Sequence, residues 1–234
     1  MSTFARQGRA TAPDNPDALY ADRSNLASAM RAADVWTTRL ERGGRRDYEA
    51  AWKLSRADYW IGGHAPPNER RRYLETGVES GRTAAALRPD RPEGHFWMAA
   101  NMGALAESFG LRAGLRYRKP IKEALERVRR IDPAWEQGSA DRALGRWYFK
   151  VPSLFGGSHK LAEEHLRASL QYNPTSTAAH YFLAELMVDD GRTSEARAEL
   201  QKVIDAPLDP EWAPEDRDFK EKARRILESL KSKV

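Results

Sequence analysis

Apolar residues recur along the chain at spacings of three and four. Leu26, Met30, Ala33 and Val35/Trp36 form one such stripe, Leu161, His165/Leu166, Ser169 and Leu170 another, and Leu183, Leu186 and Met187 a third. That spacing places them on one face of an α-helix, with polar residues opposite. Glycine and proline cluster between these stretches, where a helix must end or turn. No alternating run of the kind a half-buried strand needs is present, so the chain is predicted to be all-α.

The helices repeat. A tetratricopeptide unit of about 34 residues carries Leu, a small residue and an aromatic on its first helix, and small and large residues on its second, ending near a proline. The small positions let the two helices approach, and the large ones fill the gap to the next unit. Leu144, Gly145 and Tyr148, followed by Ala162, Leu166, Ser169 and Pro174, fit this pattern. The next unit follows in phase with His180, Leu183, Ala184, Met187, the turn glycine Gly191, then Ala196, Leu200 and Val203. Between the small positions lie 17 residues from Gly145 to Ala162 but 12 from Ala184 to Ala196, which predicts a five-residue insertion within 150–158. Upstream, Ile121, Leu125, Val128 and Pro133 read as a second helix whose partner is 94–106, around Phe96, Trp97 and Ala100. Gly77, Gly81, Ala84 and Pro89 repeat the second-helix spacing, with Gly81 where a large residue is expected. Their partner is 48–60, carrying Leu54-Ser55, and a second insertion is predicted over 61–67. Helices over 24–41 and 214–231 would cap the two ends, since terminal units of a stacked array need a polar outer face. The predicted architecture is a tetratricopeptide-like α-α superhelix of about four irregular hairpins plus capping helices. It occupies 24–234 as one repeat domain behind a flexible segment, 1–23.

The run Arg142-Ala143-Leu144-Gly145-Arg146-Trp147-Tyr148-Phe149-Lys150-Val151-Pro152, then Gly156-Gly157-Ser158, Ala162 and His165-Leu166, is similar to the TRAP-transporter-associated tetratricopeptide family, the T component of bacterial envelope systems. The Leu-Gly-Arg-Trp element followed by an aromatic also resembles, more distantly, the eukaryotic regulators of microtubule dynamics. The resemblance implies a helical solenoid of irregular repeats. It also implies a solute-binding protein as partner, a role as accessory of a solute-uptake system, and assembly into a homo-oligomer.

Composition narrows the function classes. Seven Trp, eight Tyr and seven Phe in 234 residues supply ample core material, and no apolar stretch is long enough to span a membrane. With no cysteine, disulfides, thiolate metal sites and cysteine nucleophiles are all excluded. The net charge of +5 is spread over 39 basic and 34 acidic residues. The densest basic run, Arg70-Arg71-Arg72, is flanked by Glu69 and Glu75, so it reads as a solvated helix face, and no nucleic-acid partner is expected. Residues 1–22 lack the apolar core of a signal peptide. The chain therefore reads as cytoplasmic as written, and as periplasmic if an export signal lies upstream.

No catalytic constellation emerges. There is no Gly-x-Ser-x-Gly elbow, and the Gly-Gly pairs lack the Lys-Ser/Thr of a phosphate loop. His159 and Glu163, four apart on one helix, are the best metal pair and the basis of an alternative reading as a metal-dependent enzyme. A pair falls short of a site of three or four ligands, so neither metal nor cofactor is expected. Function is instead predicted in the groove. First-helix positions two, five, nine and twelve face the concave side. In the third unit these are Ser139, Arg142, Arg146 and Phe149, and in the fourth Ala178, Tyr181, Glu185 and Val188. With Trp97 at position four of the second unit, they become His95, Met98, Met102 and Leu105. Arg142 and Arg146 would receive negative charge while Phe149 and Tyr181 stack, which suits a carboxylate-bearing peptide or an amphipathic helix. In the insertion, Gly156 and Gly157 turn the chain, and Leu154 and Phe155 either tuck onto the core or overhang the groove. The expected activity is non-enzymatic binding of a protein, peptide or small solute, with a cytoplasmic regulatory adaptor as the alternative.

Overall fold

The computed structural model describes residues 15–231, and among these every regular element is helical. Helix starts follow local chemistry. Asn15 caps α1 (Pro16–Ala21), Asn25 caps α2 (Leu26–Arg42) and Asp47 caps α3 (Tyr48–His64), each side chain accepting from a backbone N–H of the first turn. Pro67 and Pro92 open α4 (Pro67–Leu87) and α5 (Pro92–Ser108), where their missing N–H costs nothing. Then come α6 (Leu111–Ile131), α7 (Trp135–Lys150), α8 (His159–Tyr172), α9 (Thr177–Asp189), α10 (Thr193–Asp205) and α11 (Ala213–Lys231).

The pairs α3/α4, α5/α6, α7/α8 and α9/α10 are antiparallel hairpins stacked in chain order, the predicted α-α solenoid. Small residues set their spacing. A Cβ on Gly81 would stand 2.8 Å from the Met98 backbone, and one on Gly94 2.4 Å from the Ala85 nitrogen, so α4 and α5 touch backbone to backbone. A buried polar knot pins the first three helices of the array. Ser55 Oγ donates to the Gly77 carbonyl at 2.7 Å, and Asn101 Nδ2 donates to the carbonyls of Ser55 and Trp97, both at 2.9 Å.

Four expectations change. The flexible-segment prediction for residues 1–14 lies outside the described residues, whereas 16–21 form α1, whose Tyr20 is buried against Trp36. The insertion over 61–67 is not a loop at Gly62 and Gly63: α3 simply continues to His64, and Gly62 packs on Leu74. The 150–158 insertion contains a 3₁₀ turn, Ser153–Phe155, after which Ser158 caps α8. Gly157 is required there, since a Cβ would lie 1.6 Å from the Val151 carbonyl oxygen. Leu154 does not tuck onto the core but stands exposed.

The fourth change concerns α11, expected as a polar cap. It returns toward the first hairpin. Arg23 makes a bidentate pair with Glu215 (2.8 and 2.5 Å) and also donates to the Glu211 carbonyl at 2.5 Å, while His64 Nε2 lies 2.9 Å from Asp218. Trp212 stacks on Trp97 with ring centroids 6.3 Å apart. The curved array is thereby bridged at its open side.

Candidate ligand cavity

The inner faces of α3, α5, α7, α9 and α11, together with α6, line an open cavity of about 1250 Å³. Its walls include Tyr59, Trp97, Tyr181, Phe182, Trp212 and Phe219, with Ala100, Gly103, Ala104 and Ala143 leaving room between them. Aromatic contacts hold the wall: Tyr181 and Phe182 both pack on Phe219, with centroids 5.3 and 5.6 Å apart. Burial pushes the Tyr181 hydroxyl up to a pKa of about 12, so it stays a neutral donor. One end is shaped by Glu136, Gln137 and Gly138, all at positive φ. The two non-glycine residues there are in a backbone region that costs energy, and both line the cavity.

The predicted groove residues divide. Arg142 lines the cavity. It forms no hydrogen bond or ion pair among the described residues, although Glu136 and Asp216 act on it at longer range. Burial lowers its pKa from the ordinary guanidinium value. Tyr181 also lines the cavity.

Arg146 reaches the same space but is already neutralised. It pairs with Glu107 (2.7 and 3.0 Å) and with Glu185, and lies over the Phe182 ring. Burial would depress its pKa, but the two carboxylates more than offset this and raise it. Glu185, which Lys150 also approaches at 3.7 Å, is a brace for Arg146 and not a free acceptor. Phe149 shares the helical face of Arg142 but stands about 10 Å further along α7. There it contacts His159 beside the insertion, outside the cavity.

On α5 the expected register is wrong. His95 is at the helix start, with Nε2 3.2 Å from the Pro89 carbonyl oxygen. Met98 packs with the core toward α4, and Met102 is itself core. The cavity is lined instead by Trp97, Ala100, Ala104 and Glu107, a turn-by-turn stripe offset from the predicted one. Trp97 therefore faces the groove, and anchoring the repeat on it as a packing residue rotates the whole assignment. Of the loop candidates, Phe155 lines the cavity mouth with Arg118 5.1 Å over its ring, Leu154 projects outward, and Gly156 and Gly157 shape the turn. Trp212 and α11 join the wall without any signal in the sequence, because nothing in a repeat pattern tells where a terminal helix docks.

The His159–Glu163 pairing is not formed. Glu163 is held by Arg192 (2.7 Å) and Arg167 (2.6 Å), and Arg192 foremost depresses its pKa to about 2. His159 instead meets Asp190 at 2.6 Å, with Asp189 at 3.7 Å, on an exposed edge.

The family model of the regulator of microtubule dynamics proteins 1–3 matches residues 17–163, which is more than half of the chain. A tetratricopeptide-repeat model matches residues 157–214. No curated protein matches. Among solved structures, the chain is similar to a thermophilic tetratricopeptide protein of Thermus thermophilus (TM-score 0.68, 22% identity, covering 92% of this chain and 99% of that one). It is also similar to MamA in two crystal structures. One gives TM-score 0.53 at 16% identity over 91% of this chain and 99% of that one. The other gives 0.52 at 15% over 88% and 92%. At these identities the likeness is one of fold.

Proposed function

The chain belongs to the family of regulator of microtubule dynamics proteins 1–3, and from that premise we propose that it is a non-catalytic binding scaffold. Its concave cavity takes an extended segment of a protein partner and seats one anionic group of that segment on Arg142. Tetratricopeptide arrays present such inner walls for recognition, and a protein partner is what the fold suggests. The observation that carries the reading is the state of Arg142. Arg146, one turn along α7, is held by carboxylates, yet Arg142 stands in an aromatic-walled cavity without an ion pair among the described residues. A half-buried cation that faces a cavity without a counter-ion is poised for an anion. Tyr181 supplies a hydroxyl donor and an aromatic face, and Trp97 and Trp212 give apolar walls for side chains flanking the anion.

The test is a peptide array probed with wild-type protein and with Arg142→Gln. Wild type should select peptides with a free carboxylate beside apolar residues. The variant should bind them about ten- to a hundredfold more weakly, the worth of a charge-assisted hydrogen bond. The variant should melt close to wild type, because Arg142 makes no ion pair for the change to break. Equal selection by both proteins would discard the site. The narrower version of the reading takes a solute-binding protein of an uptake system as the partner and a homo-oligomer as the working form. It rests on the T-component likeness, and a cytoplasmic adaptor would use the same cavity.

A further inference from the structure

Eight large apolar side chains are exposed among the described residues; three of them line the cavity mouth, Leu111 (71% exposed), Leu115 (43%) and Phe155 (38%), and Leu154 (87%) projects outward beside Phe155 on the same 3₁₀ turn. Leu111 and Leu115 are one turn apart on α6, and Arg118 continues their face and covers the Phe155 ring, so helix and loop form one surface. The helix that carries it is basic at its start. From 109 to 122 the chain carries Arg112, Arg116, Arg118, Lys119 and Lys122 and no acidic residue. Arg112 and Arg116 are exposed and form no ion pair among the described residues, while Lys119 reaches Glu123 only at 3.6 Å.

Folding does not ask for this. The first turn of α6 has no acidic residue, its start has no side-chain cap, and cations there oppose the helix dipole. A leucine almost wholly in water at the helix start and another at the loop tip gain nothing for the core. Local rules broken together in one place mark a surface kept for something else.

We propose that this rim docks on an anionic lipid bilayer, with Leu111, Leu115, Leu154 and Phe155 entering the headgroup boundary and Arg112, Arg116 and Lys119 engaging lipid phosphates. Charge and exposure favour an anionic bilayer. Leu111 and Leu154, the two most exposed, sit at a helix start and on a 3₁₀ turn, and Leu111, Leu115 and Phe155 form the lip of the cavity beside exposed Arg112 and Arg116. Exposed apolar side chains beside arginine and lysine are the pattern of interfacial membrane binding. No described helix is long and apolar enough to cross a membrane, so this contact is peripheral. The inference does not use Arg142, although Leu111, Leu115 and Phe155 line the cavity that Arg142 also lines.

The experiment is co-sedimentation of the full chain with vesicles of phosphatidylcholine alone, and with a third of that lipid replaced by phosphatidylglycerol. Binding is expected to the anionic vesicles only and to weaken as salt rises. Arg112→Glu with Arg116→Glu should weaken it at least about twentyfold, since each cation near an anionic surface contributes about fivefold. Leu111→Ser and Leu154→Ser should each weaken it about tenfold, the worth of one buried leucine. Unchanged circular dichroism melts establish that the variants fold, and Arg130→Glu, away from the rim, serves as the control. Failure of wild type to sediment with anionic vesicles, equal binding to neutral ones, or indifference to all the rim substitutions would overturn the proposal. Loss of an acidic protein partner by the Arg112/Arg116 variant, with no vesicle binding by wild type, would assign the rim to that partner instead.

Discussion

Two glycines in helix interiors should respond oppositely to the same substitution. Replacing glycine by alanine within a helix gains about 1 kcal/mol of backbone propensity. At Gly103, in α5, a Cβ would meet nothing within 4 Å, because it enters the cavity. Gly103→Ala should therefore gain most of that stabilisation. At Gly81, in α4, the Cβ would come within 2.8 Å of the Met98 Cα and nitrogen and of Ser55 Oγ. Two of these are backbone atoms, so no side chain can swing aside; α4 and α5 must part, at an overpacking cost of up to about 3 kcal/mol. The net expectation is a loss of about 2 kcal/mol. For a chain of this length each kcal/mol moves Tm by about 2–4 °C, so Gly81→Ala should melt about 4–8 °C lower and Gly103→Ala slightly higher than wild type. Thermal melts and urea titrations followed by far-ultraviolet circular dichroism read both. A Gly81→Ala protein as stable as Gly103→Ala would refute the close backbone contact that sets the hairpin spacing.

Two further outcomes concern pH and the closure by α11. Burial opposes charge on His64, but its hydrogen bonds to Asp218 and the Trp60 carbonyl outweigh that and raise its pKa. A raised folded pKa stabilises the protein below the unfolded value of 6.5 and ceases to do so as pH climbs through the folded value. The Tm advantage of wild type over His64→Gln should thus shrink as pH rises above 6.5, and a gap that widens would contradict the pairing. Asp58 is buried with Oδ2 unpartnered, and burial raises its pKa well above 3.8, with Arg72 opposing and Asp34 reinforcing. Its folded form prefers the proton, so Asp58→Asn should be the more stable protein at neutral pH and lose that advantage as pH falls toward about 4, as seen in pH-dependent melts.

Helix positions and hairpin pairing are legible because each depends on local spacing: Leu144, Gly145 and Tyr148 against Ala162 and Leu166, and Ala184 against Ala196, recur at fixed separations. Gly81 looks like a defect in the pattern, and the structure gives its cause in the Met98 backbone. The face of α5 is misread when Trp97 is assigned to packing alone, whereas its ring both contacts the core and borders the cavity. Arg142 is legible as a groove cation, but its difference from Arg146 is not. That difference lies in Glu107 on one helix and Glu185 on another, each 39 residues away. The docking of α11 through Arg23, His64 and Trp212 likewise joins distant segments, and no periodicity encodes it.

The central claim is that recognition happens on the inner wall at Arg142. Site-specific photo-cross-linking tests it directly, with a photoreactive residue placed at Ala143, inside the cavity, or at Glu164, on the exposed face of α8. Using a carboxylate-bearing peptide selected on the array, the account predicts an adduct at position 143 that Arg142→Gln abolishes, and none at 164. An adduct at 164 with none at 143 would contradict it.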